Sequence, residues 1–531
     1  MALSSSRLAT ETSILSDLIV SIKKGEVKIP QFQRKFVWKE QQAIELLDSI
    51  SNNYPVGSLL LWRTSEKLKA ERNIGEFRLP ETDDHSPTDY VLDGQQRLTV
   101  IYSCLGAPED ETGFVIVYDL LKKEFQKAER KLEIHQFPLR KIFITTQLLN
   151  YRTALLAHGQ AGTLQQTLDE LVSSITSYRI PVVTLKDLTI SEVCPIFERI
   201  NSSGTKLSTY DLMVAATWSK DFDLDTKVES VCESLRPKGY GDIEKSSVLK
   251  CLSAIHLGTI KEDSLKSLRD LSATDLNTLL KKTTESLEKT VDLFSTEFMI
   301  HSWDFLSYEA LLIVTASIFS KHPRLTADSV VRLRQWFWRS SFGERYKVGG
   351  ANFVSKDLGV VSDFVINSKG KKEDFGNPLN EDEWETVAFK SNVSRTRAYI
   401  LALAKQKPLD IVTGLTIDTA TALSIFNKKQ FHHVHPRAFL KAIGEKMDHN
   451  LMANICILPM SSNNEISDKD PKSYFSELIA KHNRQADNIF QSNLLPLTSD
   501  LDYSKATYKE FIDSRKKTLK KAILELCEGQ K

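Results

Sequence analysis

The chain carries almost no net charge. Its 70 Lys and Arg against 69 Asp and Glu leave +1 over 531 residues. The whole molecule is therefore no polycation, and any nucleic-acid contact has to come from local basic faces. Long hydrophobic runs are missing as well. The longest, about Ala310 to Phe319, falls short of the roughly 20 residues that cross a bilayer. The opening MALSSSRLATETS lacks the charged-then-apolar layout of a secretion signal. Cysteine is scarce and scattered: Cys104, Cys194, Cys232, Cys251, Cys456 and Cys527 form no C-x-x-C pair. That excludes a zinc ribbon or disulfide scaffold and fits a reducing cytoplasm. No G-x-x-x-x-G-K-[ST] stretch occurs, which excludes a P-loop nucleotide site. Internal repeats and low-complexity tracts are absent too. The expectation is a cytoplasmic, multidomain chain with no membrane partner, its 41% hydrophobic content ample for packed cores.

What is present falls into three parts. Residues 1–215 read as mixed α/β. "KEQQAIELLDSI" spaces Ile44, Leu47 and Ile50 as a helix, and "VGSLLLW" (56–62) reads as a buried strand. "DYVLDGQQRLTVIYSCLG" reads as a strand over 90–92, a tight Asp93-Gly94 turn, and a helix from Gln95 ended by Gly106. Strands are also expected in "TGFVIVYDL" and "YRIPVVTLKDL". Ser208 and Asp211 have the spacing of a capping box. Residues 216–405 are mostly helical, with a polar loop at 367–383. Residues 406–531 form a shorter mixed region closed by the basic amphipathic helix "YKEFIDSRKKTLKKAILELCEG".

Histidine is also rare, with 11 in the chain, yet "FHHVHPRAFL" places three of them within four positions. A compact nuclease needs few parts. An imidazole takes a proton from water, since hydroxide is the competent attacker on phosphorus. A divalent cation polarises the phosphate, held by hard or borderline donors that leave positions open. Neighbours on a strand point to opposite faces, so His432 and His433 can serve these two tasks separately. A polar surface strand with incidental histidines is the bland alternative.

The stretch His432-His433-Val434-His435-Pro436, followed by Asn454 in "MANICILP" and Asn463 in "SSNNEISDK", resembles the HNH, or His-Me finger, nucleases. That resemblance implies a ββα-metal nuclease fold over residues 406–531. His433 would be the general base, and Asn454 would hold the inter-strand loop and orient it. His432 and Asn463 would be the metal ligands, with Asn464 competing for the second role. His435 is left open as a third ligand or an exposed neighbour. His432 stands where a carboxylate is common. A neutral ligand there weakens Mg²⁺ and favours Mn²⁺, Co²⁺ or Ni²⁺.

A second constellation is Asp93-Gly94-Gln95-Gln96-Arg97, where a strand turns into a helix. A helix amino terminus offers free N–H groups and partial positive charge to an anion. Gly94 permits close backbone approach. Arg97 and Arg34 can grip phosphate, and Gln95 and Gln96 can meet sugar or base edges. Asp93 can cap the helix or hold a metal or ribose hydroxyl. Phe36 and Trp38 read as core rather than base-stacking platforms. The order "IPQFQRKFVW", "YPVGSLLLW", "VLDGQQRLTVIYS", "FERINSSGTKLSTYDLMVA" and "WFWRSSFGERY" resembles the GmrSD-type, modification-dependent (type IV) restriction endonucleases. The resemblance implies an α+β multidomain chain. A ParB/sulfiredoxin-like nucleotide-binding domain (1–215) would be followed by a helical connecting domain (216–405) and the nuclease domain (406–531). It also implies a nucleoside triphosphate cofactor with NTPase activity and DNA of modified phage type as substrate; a homodimer is left open, since the sequence does not give the oligomeric state. Arg199, Asn201 and Gly204 are the polar members of the "FERINSSG" segment.

Two basic stretches offer DNA contacts. Residues 321–347 hold seven Lys/Arg and two acids, with Arg332 and Arg339 on one helical face. The tail concentrates Arg515, Lys516, Lys517, Lys520 and Lys521. The expected DNA-binding set is Arg515, Lys516, Lys520 and Arg339. The reading is a nucleotide-regulated, metal-dependent DNA endonuclease of antiviral defence. Its rivals are a nucleotide-switched DNA-binding regulator with a degenerate HNH element and an RNase using the same site.

Overall fold

The computed structural model of the protein describes residues 7–30, 36–65, 70–71, 73–74, 77–78, 87–108, 115–129, 131–200, 208–218, 222–378, 387–390, 393–423 and 431–530. It divides into two compact units, residues 1–224 and 225–531.

The first unit is built on a six-stranded mixed sheet, in the order Leu8–Ile14, Arg179–Lys186, Leu59–Thr64, Thr88–Asp93, Val27–Pro30, Ala70–Glu71. Arg179–Lys186 runs parallel to Leu59–Thr64, and Val27–Pro30 runs parallel to Thr88–Asp93. The two central strands, Leu59–Thr64 and Thr88–Asp93, are antiparallel, with a bulge between Leu60 and Leu61. The apolar run Leu59-Leu60-Leu61-Trp62 is explained by burial on both faces of the sheet. Leu59 and Leu61 pack on the helices Leu15–Lys24, Glu40–Ser51 and Ala161–Ser177. Leu60 and Trp62 pack on the opposite side with Val193 and Phe197 of the helix Ile190–Ile200, and Trp62 Nε1 donates to the Leu188 carbonyl at 3.1 Å. Phe36 and Trp38 pack partly buried against the larger cluster, as core residues do. A separate three-stranded sheet joins Gln136–Pro138, Ile116–Asp119 and Glu124–Lys127. The Ser208 capping box forms as expected: its hydroxyl accepts from Asp211 N–H at 3.2 Å, and its own N–H donates to the Asp211 carboxylate at 3.0 Å.

The second unit is predominantly helical. Its apolar run is the helix Glu309–Lys321, buried without a break from Ala310 to Phe319, which is how a helix hydrophobic on all sides must sit in water. Among the described residues no helix is long and apolar enough to cross a membrane. Ser394–Lys405, at the expected 405/406 junction, is buried from Ala398 to Ala404. Tyr399 donates its hydroxyl proton to the Ile455 carbonyl at 3.0 Å, so the helical and histidine-bearing segments share one core.

Candidate functional site

The strand Phe431–His433 pairs antiparallel with Ile455–Ile457, His432 opposite Cys456 and His433 opposite Ile455. Ile457 leads through Leu458 and Pro459 into the helix Met460–Ile466. The chain thus runs strand, strand, helix, with His432 and His433 on the first strand and Asn463 on the helix. Phe431 anchors the first strand, its ring 5.7 Å from that of Phe389 and 6.3 Å from that of Phe305.

Strand alternation puts His433 on the Phe431 face and His432 on the other. His433 Nε2 lies 3.0 Å from Asn450 Oδ1. Burial holds the His433 pKa below its ordinary value; the Asn450 hydrogen bond and Asp448 oppose this, and the neighbouring Arg437 and His449 reinforce it. The imidazole is therefore neutral at pH 7, the state a general base requires. Sequence reasoning missed Asn450. An asparagine in a polar "MDHN" turn carries no motif signal, and only the fold sets it beside His433.

Asn454 is fully buried. Its Oδ1 accepts from the His435 N–H at 2.8 Å, and its Nδ2 donates to the carbonyls of His435 (3.1 Å) and His449 (2.9 Å). It ties the end of the first strand to the loop before the second, and any effect on His433 passes through this backbone. His435 is neither an exposed neighbour nor free to ligate. It is 4% exposed, packs on the rings of Phe511 (4.4 Å) and Tyr508 (5.3 Å), and burial depresses its pKa to about 3. His432 and Asn463 are both half-buried, while Asn464 is exposed. Among the described residues no group of three or more His, Cys, Asp or Glu is arranged to hold a metal.

Two expected DNA contacts are corrected by burial. Arg515 is 0% exposed. Its guanidinium donates to four backbone carbonyls: Ala453 and Ile455 at 2.9 Å, and Leu494 and Asn493 at 3.2 Å. It braces both neighbours of Asn454 and cannot reach a phosphate. Arg339 is 7% exposed and spends its donors on the Cys527 carbonyl (3.3 Å) and the Glu528 carboxylate (3.0 Å), fixing the last helix, Tyr508–Cys527, to the helix Ala327–Phe342. The helical face shared by Arg332 and Arg339 is likewise engaged, as Arg332 Nε donates to the Val365 carbonyl at 2.9 Å. Charge counting in one dimension cannot tell a buried arginine from a solvated one. Lys516 and Lys520 are half-buried, with Lys516 Nζ 3.9 Å from Asp513, while Lys517 and Lys521 are exposed.

In the first unit, the Asp93–Arg97 turn is stitched to its surroundings. Asp93 does not cap the helix Gln95–Ile101; Gly94 holds the cap position with φ +93°, and an added Cβ would stand 2.5 Å from Leu59 Cδ2. The Asp93 carboxylate instead accepts from Arg97 Nη2 at 3.0 Å, and Arg97 Nη1 donates to the Val56 carbonyl at 2.8 Å. Gln96 Oε1 accepts from the N–H groups of Val37 (3.0 Å) and Trp38 (3.3 Å). Two of the five residues are thereby bound to loops 41 to 59 positions away, and Gln95 stands half-buried at the helix start. Arg34, Asn201 and Gly204 lie outside the described residues. Arg199 is exposed near the end of its helix.

A mixed sheet layered between helices, and a helical unit bearing a strand-strand-helix histidine element, define this as an α+β chain of two units. Residues 15–218 match the family model described as the GmrSD restriction endonuclease N-terminal domain. An uncharacterized protein of Methanocaldococcus jannaschii is 26% identical, with the alignment covering 89% of this chain and 88% of the relative.

Proposed function

We propose that the protein is a divalent-metal-dependent DNA endonuclease of antiviral restriction, regulated by a nucleoside triphosphate. The observation that carries this reading is His433: an imidazole hydrogen-bonded to Asn450, on the first strand of a strand-strand-helix unit whose inter-strand loop is pinned by the buried Asn454. The match of residues 15–218 to the restriction endonuclease N-terminal domain supports it independently.

His433 takes a proton from water as its oxygen attacks phosphorus and the bond to the leaving sugar oxygen breaks. Asn454, with Arg515 behind it, holds the loop geometry in which this happens. His432 and Asn463 would hold the metal, an imidazole and an amide that suit a borderline ion sharing its remaining positions with phosphate and water. When bound, that ion supplies Lewis-acid stabilisation of the phosphate and leaving oxygen. The nucleotide belongs to the Asp93–Arg97 turn. There Gln95 stands half-buried at the helix start, while Asp93, Gln96 and Arg97 shape the turn. The DNA surface is the Lys516, Lys517, Lys520 and Lys521 side of the last helix.

His432 in a carboxylate's place favours one rival, a nucleotide-switched DNA-binding protein that does not cut. Supercoiled plasmid incubated with Mn²⁺ and each nucleotide, with and without EDTA, separates the two. Nicking that EDTA and H433A both abolish supports the nuclease, and none from the unaltered protein overturns it. Substituting RNA tests the RNase alternative. Comparing unmodified, glucosylated and phosphorothioated phage DNA finds the modification sensed.

A further inference from the structure

Asn450 holds its carboxamide in a single orientation. Nδ2 donates to the Phe389 carbonyl at 2.8 Å, and the two backbones meet again where Phe389 N–H donates to the Asn450 carbonyl at 2.7 Å. Next to this pair, Ala388 and Leu451 form an antiparallel bridge. Because only an NH₂ group can donate to Phe389, the atom turned toward His433 is the amide oxygen. That oxygen lies 3.0 Å from His433 Nε2, and an oxygen acceptor there requires Nε2 to carry the proton. Nδ1 is left as the lone-pair nitrogen. Phe389 is held in turn by ring contact with Phe431, two residues before His433 on the same strand.

We infer that Asn450 is a positioning residue for the proposed cleavage, fixing His433 as the Nε2–H tautomer so that Nδ1 is the nitrogen that takes the proton from water. This rests on the reading of His433 as a general base, but the tautomer can be measured without any cleavage. A purely structural asparagine would tie down the loop and leave the ring free to exchange tautomers. One that positions the ring sets which nitrogen is basic.

The experiment uses the full chain, metal-free, with ¹⁵N-labelled histidine, and assigns His433 by its loss in H433Q. The unaltered protein is expected to show a pyrrole-type Nε2 and a pyridine-type Nδ1. Asn450→Leu, which keeps the bulk but removes the acceptor, is expected to give averaged tautomer signals. It should also lower kcat on the order of 10–100-fold with KM little changed. Asn450→Asp retains an acceptor oxygen and is expected to keep the Nε2–H signature, so the inference stays testable if the leucine variant does not fold. A protonated Nδ1 in the unaltered protein or in Asn450→Asp overturns the inference, as does an unchanged signature in Asn450→Leu. If the unaltered protein cuts nothing while its tautomer responds as expected, the nuclease reading fails and the positioning role stands. If it cuts and the tautomer ignores Asn450, the positioning role fails alone.

Discussion

Asn454 pairs with His435 as a strand would, its side-chain oxygen on the His435 N–H at 2.8 Å and its side-chain nitrogen on the His435 carbonyl at 3.1 Å. One buried carboxamide thus does the work of a backbone ladder where the strand ends. Asn454→Ala leaves these groups unpaired in the core and should cost about 1–3 kcal/mol per orphaned group. Denaturant unfolding is expected to show that loss together with reduced cleavage, and unchanged stability would refute the bracing role.

His433→Ala removes the proposed base without emptying the core, since the ring is only half-buried. Cleavage is expected to fall by at least a factor of 10²–10⁴, the usual contribution of a general base. Circular dichroism and the melting temperature should stay close to those of the parent. Undiminished nicking would reject the assignment.

His432→Asp restores a negative ligand where the chain has a neutral one. Mg²⁺ is expected to bind roughly tenfold tighter, the equivalent of ~1.4 kcal/mol, and the preference for Mn²⁺ should narrow. Isothermal titration of both ions against both proteins measures it. Equal affinities would remove His432 from the ligand set.

Arg515 and the exposed lysines of its helix should behave oppositely. Arg515→Met strands four carbonyls and is expected to destabilise the second unit by on the order of 3–5 kcal/mol. Lys517→Gln with Lys521→Gln should leave stability alone and lower the salt slope of DNA binding by about one per lysine. A stable Arg515→Met protein with a flattened salt slope would reinstate Arg515 as a phosphate contact.

His435 makes stability depend on pH. Its folded pKa, about 3, lies below the ordinary 6.5, so the unfolded chain binds the extra proton. The stabilisation is complete above about pH 6.5 and is lost as pH falls toward 3, at up to ~1.4 kcal/mol per unit. His433, lowered in the same direction, adds to the effect. His435→Phe should flatten the part due to His435 when unfolding is followed at pH 7, 6 and 5. A slope left untouched would show that His435 is not the group responsible.

The elements with strong local signals were legible in the chain itself. The two-sided apolar strand at Leu59–Thr64, the Ser208 capping box and the basic last helix depend on neighbours a few residues apart, where periodicity and hydrogen-bond chemistry operate. The placing of His432 and His433 on a strand and Asn463 on a later helix was expected from the resemblance to the HNH nucleases rather than from periodicity. The strand Phe431–His433 and the helix Met460–Ile466 carry them, and Asn454 ends the turn before the second strand.

Tertiary structure alone decided which polar groups are spent inside. Arg515 and Arg339 look like any solvated basic residue in a charge count, yet carbonyls from distant segments take up their donors. Arg97 reaches Val56 across 41 positions and Asn450 reaches Phe389 across 61, pairings that no local pattern announces. Desolvation is a property of the packed interior, so the lowered pKa values of His433 and His435 arise only when the surrounding residues pack around them.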